Sequence, residues 1–102
     1  MPFVSVCKAA DVQEGRMGWF RVQRKSVLLV WPRRGELRAY RGRCPHQDIP
    51  LDTATFDGEH VVCGLHQWRF DGSTGRCIGS RPCALHSYPL RVQDDELQVD
   101  LG

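Results

Sequence analysis

The sequence predicts an all-β fold, built as a small antiparallel sandwich or barrel. Two observations predict it: short segments alternate apolar and polar residues with period two, and turn signals rich in glycine, proline and aspartate separate them. A third observation agrees, since no segment shows a long helical period of apolar residues. The chain has 102 residues, a length that fits one domain over residues 1–102.

The first half of the chain is predicted to hold four strands. Phe3, Val4 and Val6 begin the first strand, and a single helical turn over residues 9–14 precedes Gly15. The remaining elements of this half are strands at 19–22, 27–31 and 37–40, with a turn at 32–35.

The second half is less regular. Its predicted elements are a strand that leads into Cys63, a strand at 68–70, a turn at 71–75, a strand at 90–93, a turn at 94–95 and a final strand at 97–101. Residues 43–83 carry the weakest pattern and also the paired cysteines and histidines. We expect this region to need a stabilising cross-link between its loops, and a bound metal would supply one.

Composition and charge restrict the class of protein. The chain is 41% apolar and 25% charged, as in ordinary globular proteins. It lacks the roughly 18 to 20 consecutive apolar residues of a membrane span and the pattern of a signal peptide, so a cytoplasmic protein with no membrane partner is expected. Residues 1–43 hold ten basic and three acidic residues, a net of +7, and residues 44–102 hold four and nine, a net of −5.

This charge asymmetry has two interpretations. It can orient a charged partner, or both sets can be scattered over a solvated surface. Nucleic acid is not expected as a partner, because the basic residues lie mostly in strand-like segments without a helical stripe or a nucleic-acid motif.

The motif that carries chemistry is a double pair, Cys44-x-His46 followed by Cys63-x-x-His66. Five cysteines, an odd number, favour metal ligation over a disulfide framework in a reducing compartment. A zinc site is one alternative, although a C-x-H arm matches structural zinc sites poorly. A Cys–His nucleophile is another, but it leaves the second pair unexplained. A Rieske [2Fe–2S] centre requires one Cys and one His from each of two loops.

The chain resembles Rieske-type ferredoxins over essentially its whole length. The resemblance rests on Cys44-Pro45-His46, on the second arm with Trp68-Arg69-Phe70 after it, on the Asp-Gly-Ser-Thr-Gly turn, and on residues 88–92. It implies a Rieske fold, with an antiparallel β-sandwich base and an inserted cluster-binding subdomain at about residues 43–83. It also implies one cluster per chain, with Cys44 and Cys63 on the inner iron and His46 and His66 on the outer iron.

Finer features of the resemblance point to a low-potential centre. Respiratory Rieske subunits brace the two loops with a disulfide, and the corresponding positions here are Ile49 and Leu65. Those subunits also place hydroxyl donors at the positions of Trp68 and Phe70, and such hydrogen bonds raise the potential. We therefore expect a potential near or below about −150 mV, the lower end of the Rieske range.

The Cys-Pro-His-Gln arm, Trp68 and Cys83 resemble the ferredoxins of multicomponent diiron monooxygenases of the toluene monooxygenase type, which act on arenes or alkenes. That resemblance implies an electron carrier that is not itself an enzyme. It would receive electrons from an NADH-dependent flavin and iron–sulfur reductase and deliver them to an oxygenase hydroxylase component. Three alternatives stay open: a ferredoxin of a Rieske non-haem dioxygenase, a nitrite reductase small subunit, and a zinc-stapled binding module.

The protein is expected to be a monomer. Its contacts with partners are expected beside the ligands, through Pro45, Gln47, Gln67, Trp68 and Pro82. Trp68 could equally be a core residue. The remaining cysteines and histidines are assigned ordinary structural roles. Cys7 is expected in a strand interior, His60 and His86 at the surface or in caps, and residues 78–82, between Cys77 and Cys83, in a loop that covers the cluster.

Overall fold

A computed structural model describes residues 3–45, 50–64, 68–78 and 83–102. Within these ranges the chain forms ten strands and one short 3₁₀ helix, Ala9–Asp11. No helix in the described part is long and apolar enough to cross a membrane. The strands are β1 Phe3–Lys8, β2 Met17–Val22, β3 Lys25–Val30, β4 Arg38–Arg41, β5 Thr55–Phe56, β6 His60–Val62, β7 Arg69–Asp71, β8 Ser87–Tyr88, β9 Leu90–Gln93 and β10 Glu96–Asp100.

The strands form three antiparallel sheets. The terminal sheet has the order β1-β10-β9, so the two ends of the chain pair with each other. The central sheet has the order β2-β3-β4-β8, and the third has the order β5-β6-β7. We call the terminal and central sheets the base, and the segment from residue 43 to residue 84, which holds the third sheet, the insert. The all-β prediction is confirmed.

Strand β3 explains why the base and the insert pack as one body. Its run Val27-Leu28-Leu29-Val30 is fully buried, because each face of the strand meets a different core. Val27 and Leu29 join a core with Leu97 and Val99 of β10. The other two, Leu28 and Val30, join a second core with residues of the insert. A continuous apolar run is the pattern expected of a strand covered on both faces.

Two tight hairpins have positive φ at residues other than glycine, in a conformation that glycine adopts most easily. Gln23 and Arg24 join β2 to β3 with φ of 49° and 68°, and Asp94 and Asp95 join β9 to β10 with φ of 53° and 63°. Two-residue turns with positive φ at both positions match the right-handed twist of the flanking strands. The turn at Asp94 and Asp95 was predicted, since aspartate tolerates this conformation, but Gln23 and Arg24 carry no such signal.

Other predicted elements differ in extent. The helical turn predicted over 9–14 is shorter, because Val12 already has extended backbone at φ −123° and is buried in the base core. Trp31 and Leu37 lie just outside β3 and β4. Strands β5 and β8, of two residues each, were not predicted. The turns at 32–35 and 71–75 are confirmed by the bonds from Gly35 N to Pro32 O, 3.0 Å, and from Gly75 N to Asp71 O, 2.7 Å.

Candidate metal centre

Each predicted cysteine ligand begins a loop that is closed at its base by backbone pairing. Cys44 follows Arg43, which forms an isolated antiparallel bridge with Pro50. Cys63 follows β6, and its N–H donates to the carbonyl of Trp68 at 2.9 Å, which continues the β6–β7 pairing by one step. Each loop therefore begins at or just before a cysteine, and its last residue pairs through the backbone with the residue at its start.

The two cysteines are completely buried, at 0% exposure, and belong to the same core. That core also contains Val61 and Phe70 of the insert and Tyr40 of the base. All five cysteines fall in the described ranges, and none of them is joined in a disulfide. Two buried thiols in one core, each at the start of its own loop, fit the cysteine half of a Rieske site.

The predicted histidine ligands, His46 and His66, lie outside the described residues, as do Gln47, Gln67 and Pro82. The described ranges contain no group of three or more Cys, His, Asp or Glu side chains placed to hold a metal. That finding concerns only the described ranges, and the motif's histidines are not among them. The assignment of the ligands thus remains a prediction.

Trp19 fixes the base of the first loop. Its indole N–H donates to the carbonyl of Gly42 at 2.9 Å, and the backbone N–H of Leu51 donates to the same carbonyl at 2.8 Å. Leu51 is buried in the core that holds both cysteines. One carbonyl therefore ties the entry and the exit of the first loop to the central sheet. Trp19 was predicted to lie in a strand, and nothing in the sequence around it marks this role.

Gly64 lets the second loop approach the segment that follows the first loop. A Cβ at this position would lie 2.6 Å from Thr53 Oγ1 and 2.9 Å from the carbonyl oxygen of Thr53. Both separations are shorter than any ordinary contact of a Cβ, so a side chain here would push the two segments apart. The glycine after Cys63 is therefore a packing requirement of the site.

Tyr40 joins the base to the insert from the other side. Its hydroxyl donates to the carbonyl of Gly72 at 2.8 Å, and the side chain is buried. Gly75 has φ of 79°, and a Cβ there would lie 2.9 Å from Tyr40 Cε1, so the 71–75 turn folds directly onto the ring. Burial raises the pKa of Tyr40 to about 12, because the phenolate would lose its hydration.

The residues around the second loop divide between core and surface. Phe70 is fully buried in β7, and its ring has no hydroxyl to donate. Trp68 is half-buried and packs against the core that holds the cysteines, so it has a structural role as well as an accessible part. Pro45, the other described member of the predicted contact set, is exposed.

The cysteines and histidines outside the motif take structural positions. Cys77 is buried in the same core, and Cys83 is half-buried against it. Residues 79–82 between them lie outside the described ranges, so the predicted covering loop is untested. Cys7 lies half-buried in β1, where burial raises the pKa of its thiol.

His60 and His86 stand outside the motif, and among the described residues neither belongs to a group of three or more side chains placed to hold a metal. His60 donates its backbone N–H to Asp57 Oδ1 at 2.7 Å. This bond and the one from the N–H of Glu59 lower the pKa of the Asp57 carboxyl. His86 is exposed and meets Tyr88 edge-on at 5.4 Å between ring centroids.

Comparison with known proteins agrees with the geometry. The Rieske [2Fe–2S] domain family matches residues 2–89. The ferredoxin component of the alkene monooxygenase system of Xanthobacter autotrophicus is 38% identical over 99 residues, covering 95% of this chain and 80% of the relative. The ferredoxin component of the p-cumate 2,3-dioxygenase system of Pseudomonas putida is 31% identical over 102 residues, covering 97% and 86%.

Solved structures share the fold. The ferredoxin of carbazole 1,9a-dioxygenase from Nocardioides aromaticivorans has a TM-score of 0.77 at 27% identity, with 97% of each chain covered. A chain from a complex of reduced oxygenase and oxidized ferredoxin in carbazole 1,9a-dioxygenase has a TM-score of 0.74 at 29% identity, with 95% of this chain and 91% of that chain covered. The family implies one Rieske cluster per chain. The chain therefore belongs to the Rieske [2Fe–2S] domain family, as a ferredoxin, the electron-transfer component of an oxygenase system and not its catalytic enzyme.

Proposed function

We propose that this ferredoxin carries single electrons from an NADH-dependent flavin and iron–sulfur reductase to the hydroxylase component of a diiron aromatic or alkene monooxygenase. One observation carries the proposal. Within a Rieske domain, two fully buried cysteines each begin a loop whose two ends are held together by backbone pairing. The alkene monooxygenase ferredoxin at 38% identity supports this class of acceptor.

In this proposal Cys44 and Cys63 hold the inner iron, and His46 and His66 hold the outer one. When bound, a Rieske cluster accepts and releases one electron, and its potential depends on hydrogen bonds and on exposure to solvent. The chain's own part is to bury the two thiols and keep water from them. It also fixes the start of each loop through Trp19 and Gly64, so that little rearrangement accompanies the change of charge.

The finer features of the proposal concern organisation and partners. The chain is a single domain with its cluster-binding subdomain at about residues 43–83, and it acts as a cytoplasmic monomer without a nucleic-acid partner. Contact with the redox partners is small and transient, as in other electron-transfer encounters. The proposed contact set is Pro45, Gln47, Gln67, Trp68 and Pro82, of which Pro45 is exposed and Trp68 half-buried.

A second candidate is the ferredoxin of a Rieske non-haem dioxygenase. The p-cumate dioxygenase ferredoxin, at 31% identity over 97% of this chain, favours it. The two candidates share the cluster and differ in the acceptor. Reconstitution with a diiron hydroxylase and, separately, with a Rieske dioxygenase separates them, because the true acceptor should be reduced with saturable kinetics and the other should not.

The first test of the proposal is an electrochemical titration of the purified protein with EPR of the reduced form. A one-electron couple near or below about −150 mV, with a Rieske-type signal, is expected, because the buried ring of Phe70 offers no hydroxyl. A strongly positive potential would contradict the assignment to oxygenase systems. A colourless protein with bound zinc would contradict the cluster itself.

A further inference from the structure

A cleft lined by basic side chains lies beside the first loop. It has a volume of about 490 Å³ and lies on the central sheet. Among the described residues that line it, none carries a carboxylate, and five carry a positive charge: Arg21, Arg24, Lys25, Arg41 and Arg43. We call this feature the basic cleft.

The hairpin of β2 and β3 builds one wall of the basic cleft. Arg21 lies opposite Ser26 in the β2–β3 register. Arg24 occupies the turn with φ of 68°, and Lys25 begins β3 and donates from Nζ to the carbonyl of Leu101 at 3.1 Å. Arg21, Arg24 and Lys25 are all exposed. The turn therefore concentrates three cations within five consecutive positions.

The opposite wall leads directly to the candidate metal centre. Arg41 ends β4, with its backbone N–H bonded to the carbonyl of His86 at 2.7 Å. Arg43 pairs with Pro50 and immediately precedes Cys44. A smaller pocket of about 140 Å³ shares Arg41, Arg43 and His86 with the basic cleft and is also lined by Cys44 and Pro45. The positive surface is thus continuous with the loop that begins at Cys44.

We infer that the basic cleft docks an acidic surface of the oxygenase component and so aligns the metal centre with its electron acceptor. The inference rests on the proposed function and adds the face and the charge of the contact. It commits to the oxygenase because that component is the acceptor in the proposed function.

Charge complementarity supports an acidic protein surface as the occupant. Four of the five cations are arginines, whose planar guanidinium groups bind carboxylates through two parallel hydrogen bonds. Trp19 and Tyr88, both half-buried, also line the cleft, and aromatic side chains and arginine are enriched in protein interfaces. A surface of one sign of charge speeds the encounter with a partner surface of the opposite sign, so carboxylates on the partner fit this cleft.

The test compares two double variants that carry the same charge change. R21E/R24E reverses two cations of the basic cleft, and R16E/R76E reverses two exposed arginines that do not line it. Each substitution lowers the net charge by two, so both variants go from +2 to −2. The cluster-loaded, reduced full chain is mixed with the oxygenase component in a stopped-flow instrument, and the second-order rate constant of its oxidation is measured against ionic strength.

We expect R21E/R24E to lower that rate constant about tenfold or more at low salt, and R16E/R76E to lower it less than about twofold. The difference should vanish at about 0.5 M salt, where screening removes steering. The milder R21Q/R24Q should give an intermediate loss with an unchanged visible spectrum, which separates docking from damage to the fold.

Several results would overturn the inference. Equal rates for the two double variants at low salt would remove the cleft from the contact. A loss confined to reduction by the reductase would assign the cleft to the other partner. Salt-sensitive binding of a single-stranded oligonucleotide that R21E/R24E abolishes, with electron transfer unchanged, would assign the cleft to nucleic acid.

The salt dependence of the wild type separates this inference from the proposed function. Electron transfer by the wild type that is efficient but insensitive to salt would overturn the docking inference and leave the proposed function standing. No transfer at any salt concentration would overturn both.

Discussion

The base and the insert are held together by different means. In the base, β2 and β3 pair over six residues, and two apolar cores cover the faces of β3. In the insert, β5 and β6 share two residue pairs and β6 and β7 share three. Strands of two or three residues lie at or below the short end of the usual range, so this sheet depends on packing against other parts of the protein. The base is thus supported by regular backbone pairing, and the insert depends on a few specific contacts and, as proposed, on its metal.

The largest effect should come from removing a predicted ligand. Cys63→Ser is expected to reduce iron content and visible absorbance to near zero, because a serine hydroxyl is a poor ligand for iron compared with a thiolate. Hydrogen exchange should then show that β6 and β7 lose protection while β2, β3 and β10 keep theirs, since metal binding supplies folding free energy to its own loops.

Cys7→Ser is the matched control for that experiment, because Cys7 is half-buried in β1, within the base. Full cluster content is expected. If the insert of Cys63→Ser stays protected from hydrogen exchange without iron, its backbone pairing suffices. The proposed dependence of the insert on its metal would then be wrong.

Gly64→Ala should have the next largest effect. The new Cβ would meet Thr53 at 2.6 Å and 2.9 Å, and overpacking of this kind typically costs about 1–3 kcal/mol. Cluster content after purification should fall with it. Adding Thr53→Ala removes the hydroxyl contact and leaves the carbonyl contact, so only partial recovery is expected. Full recovery, or no loss in the single variant, would contradict the close approach.

Tyr40→Phe probes the contact between the two regions. The change leaves the carbonyl of Gly72 without its 2.8 Å donor, and an unsatisfied buried acceptor costs about 1–3 kcal/mol. Denaturant unfolding should show this loss, and Tyr88→Phe, at a half-buried tyrosine of β8, is the control. If the two variants are equally stable, the hydroxyl contributes nothing to the junction.

The raised pKa of Tyr40 predicts how the free energy of unfolding falls at alkaline pH. The pKa of Tyr40 is raised to about 12 in the folded protein, against about 10 in an unfolded chain. Because the folded state favours the neutral phenol, this contribution is complete below pH of about 10 and is lost as pH rises towards about 12. Tyr40→Phe should flatten the decline over that window, as measured by denaturant unfolding at each pH.

Trp19→Phe should have the smallest effect on stability, about 1 kcal/mol, because Leu51 still donates to the carbonyl of Gly42. Its consequence should be local: faster loss of the cluster on incubation with a chelator. Trp31→Phe is a close control, since Trp31 is also half-buried and donates to a glycine carbonyl, that of Gly35, at 3.2 Å. Equal rates of cluster loss in both variants would remove Trp19 from the support of the first loop.

The longer strands of the base could be predicted from the sequence, and the two-residue strands of both regions could not. Alternation in residues 97–101 and the apolar run at 27–30 marked β10 and β3, because many neighbouring residues repeat the same signal. Strands of two residues, such as β5 and β8, are too short for any period to appear.

The motif singled out Cys44 and Cys63, and both are buried in one core, while their role as ligands stays a prediction. The contacts that hold their loops were not predicted. Trp19, Gly64 and Tyr40 act on residues 11 to 32 positions away, and nothing in their local sequence marks the partner. The hairpin at Gln23 and Arg24 was missed because neither residue favours left-handed backbone, and only the register of β2 and β3 requires it.

The closing pairs of the two loops have an evolutionary consequence. Arg43 with Pro50 and Cys63 with Trp68 fix where each loop leaves and rejoins the framework. Substitutions between those positions leave the strand register outside them unchanged. A lineage could therefore vary the loop interiors, and with them the potential and the preference for a partner, while inheriting the same scaffold. Segments of equal length exchanged between related ferredoxins at these four positions should give chimaeras that keep the base intact.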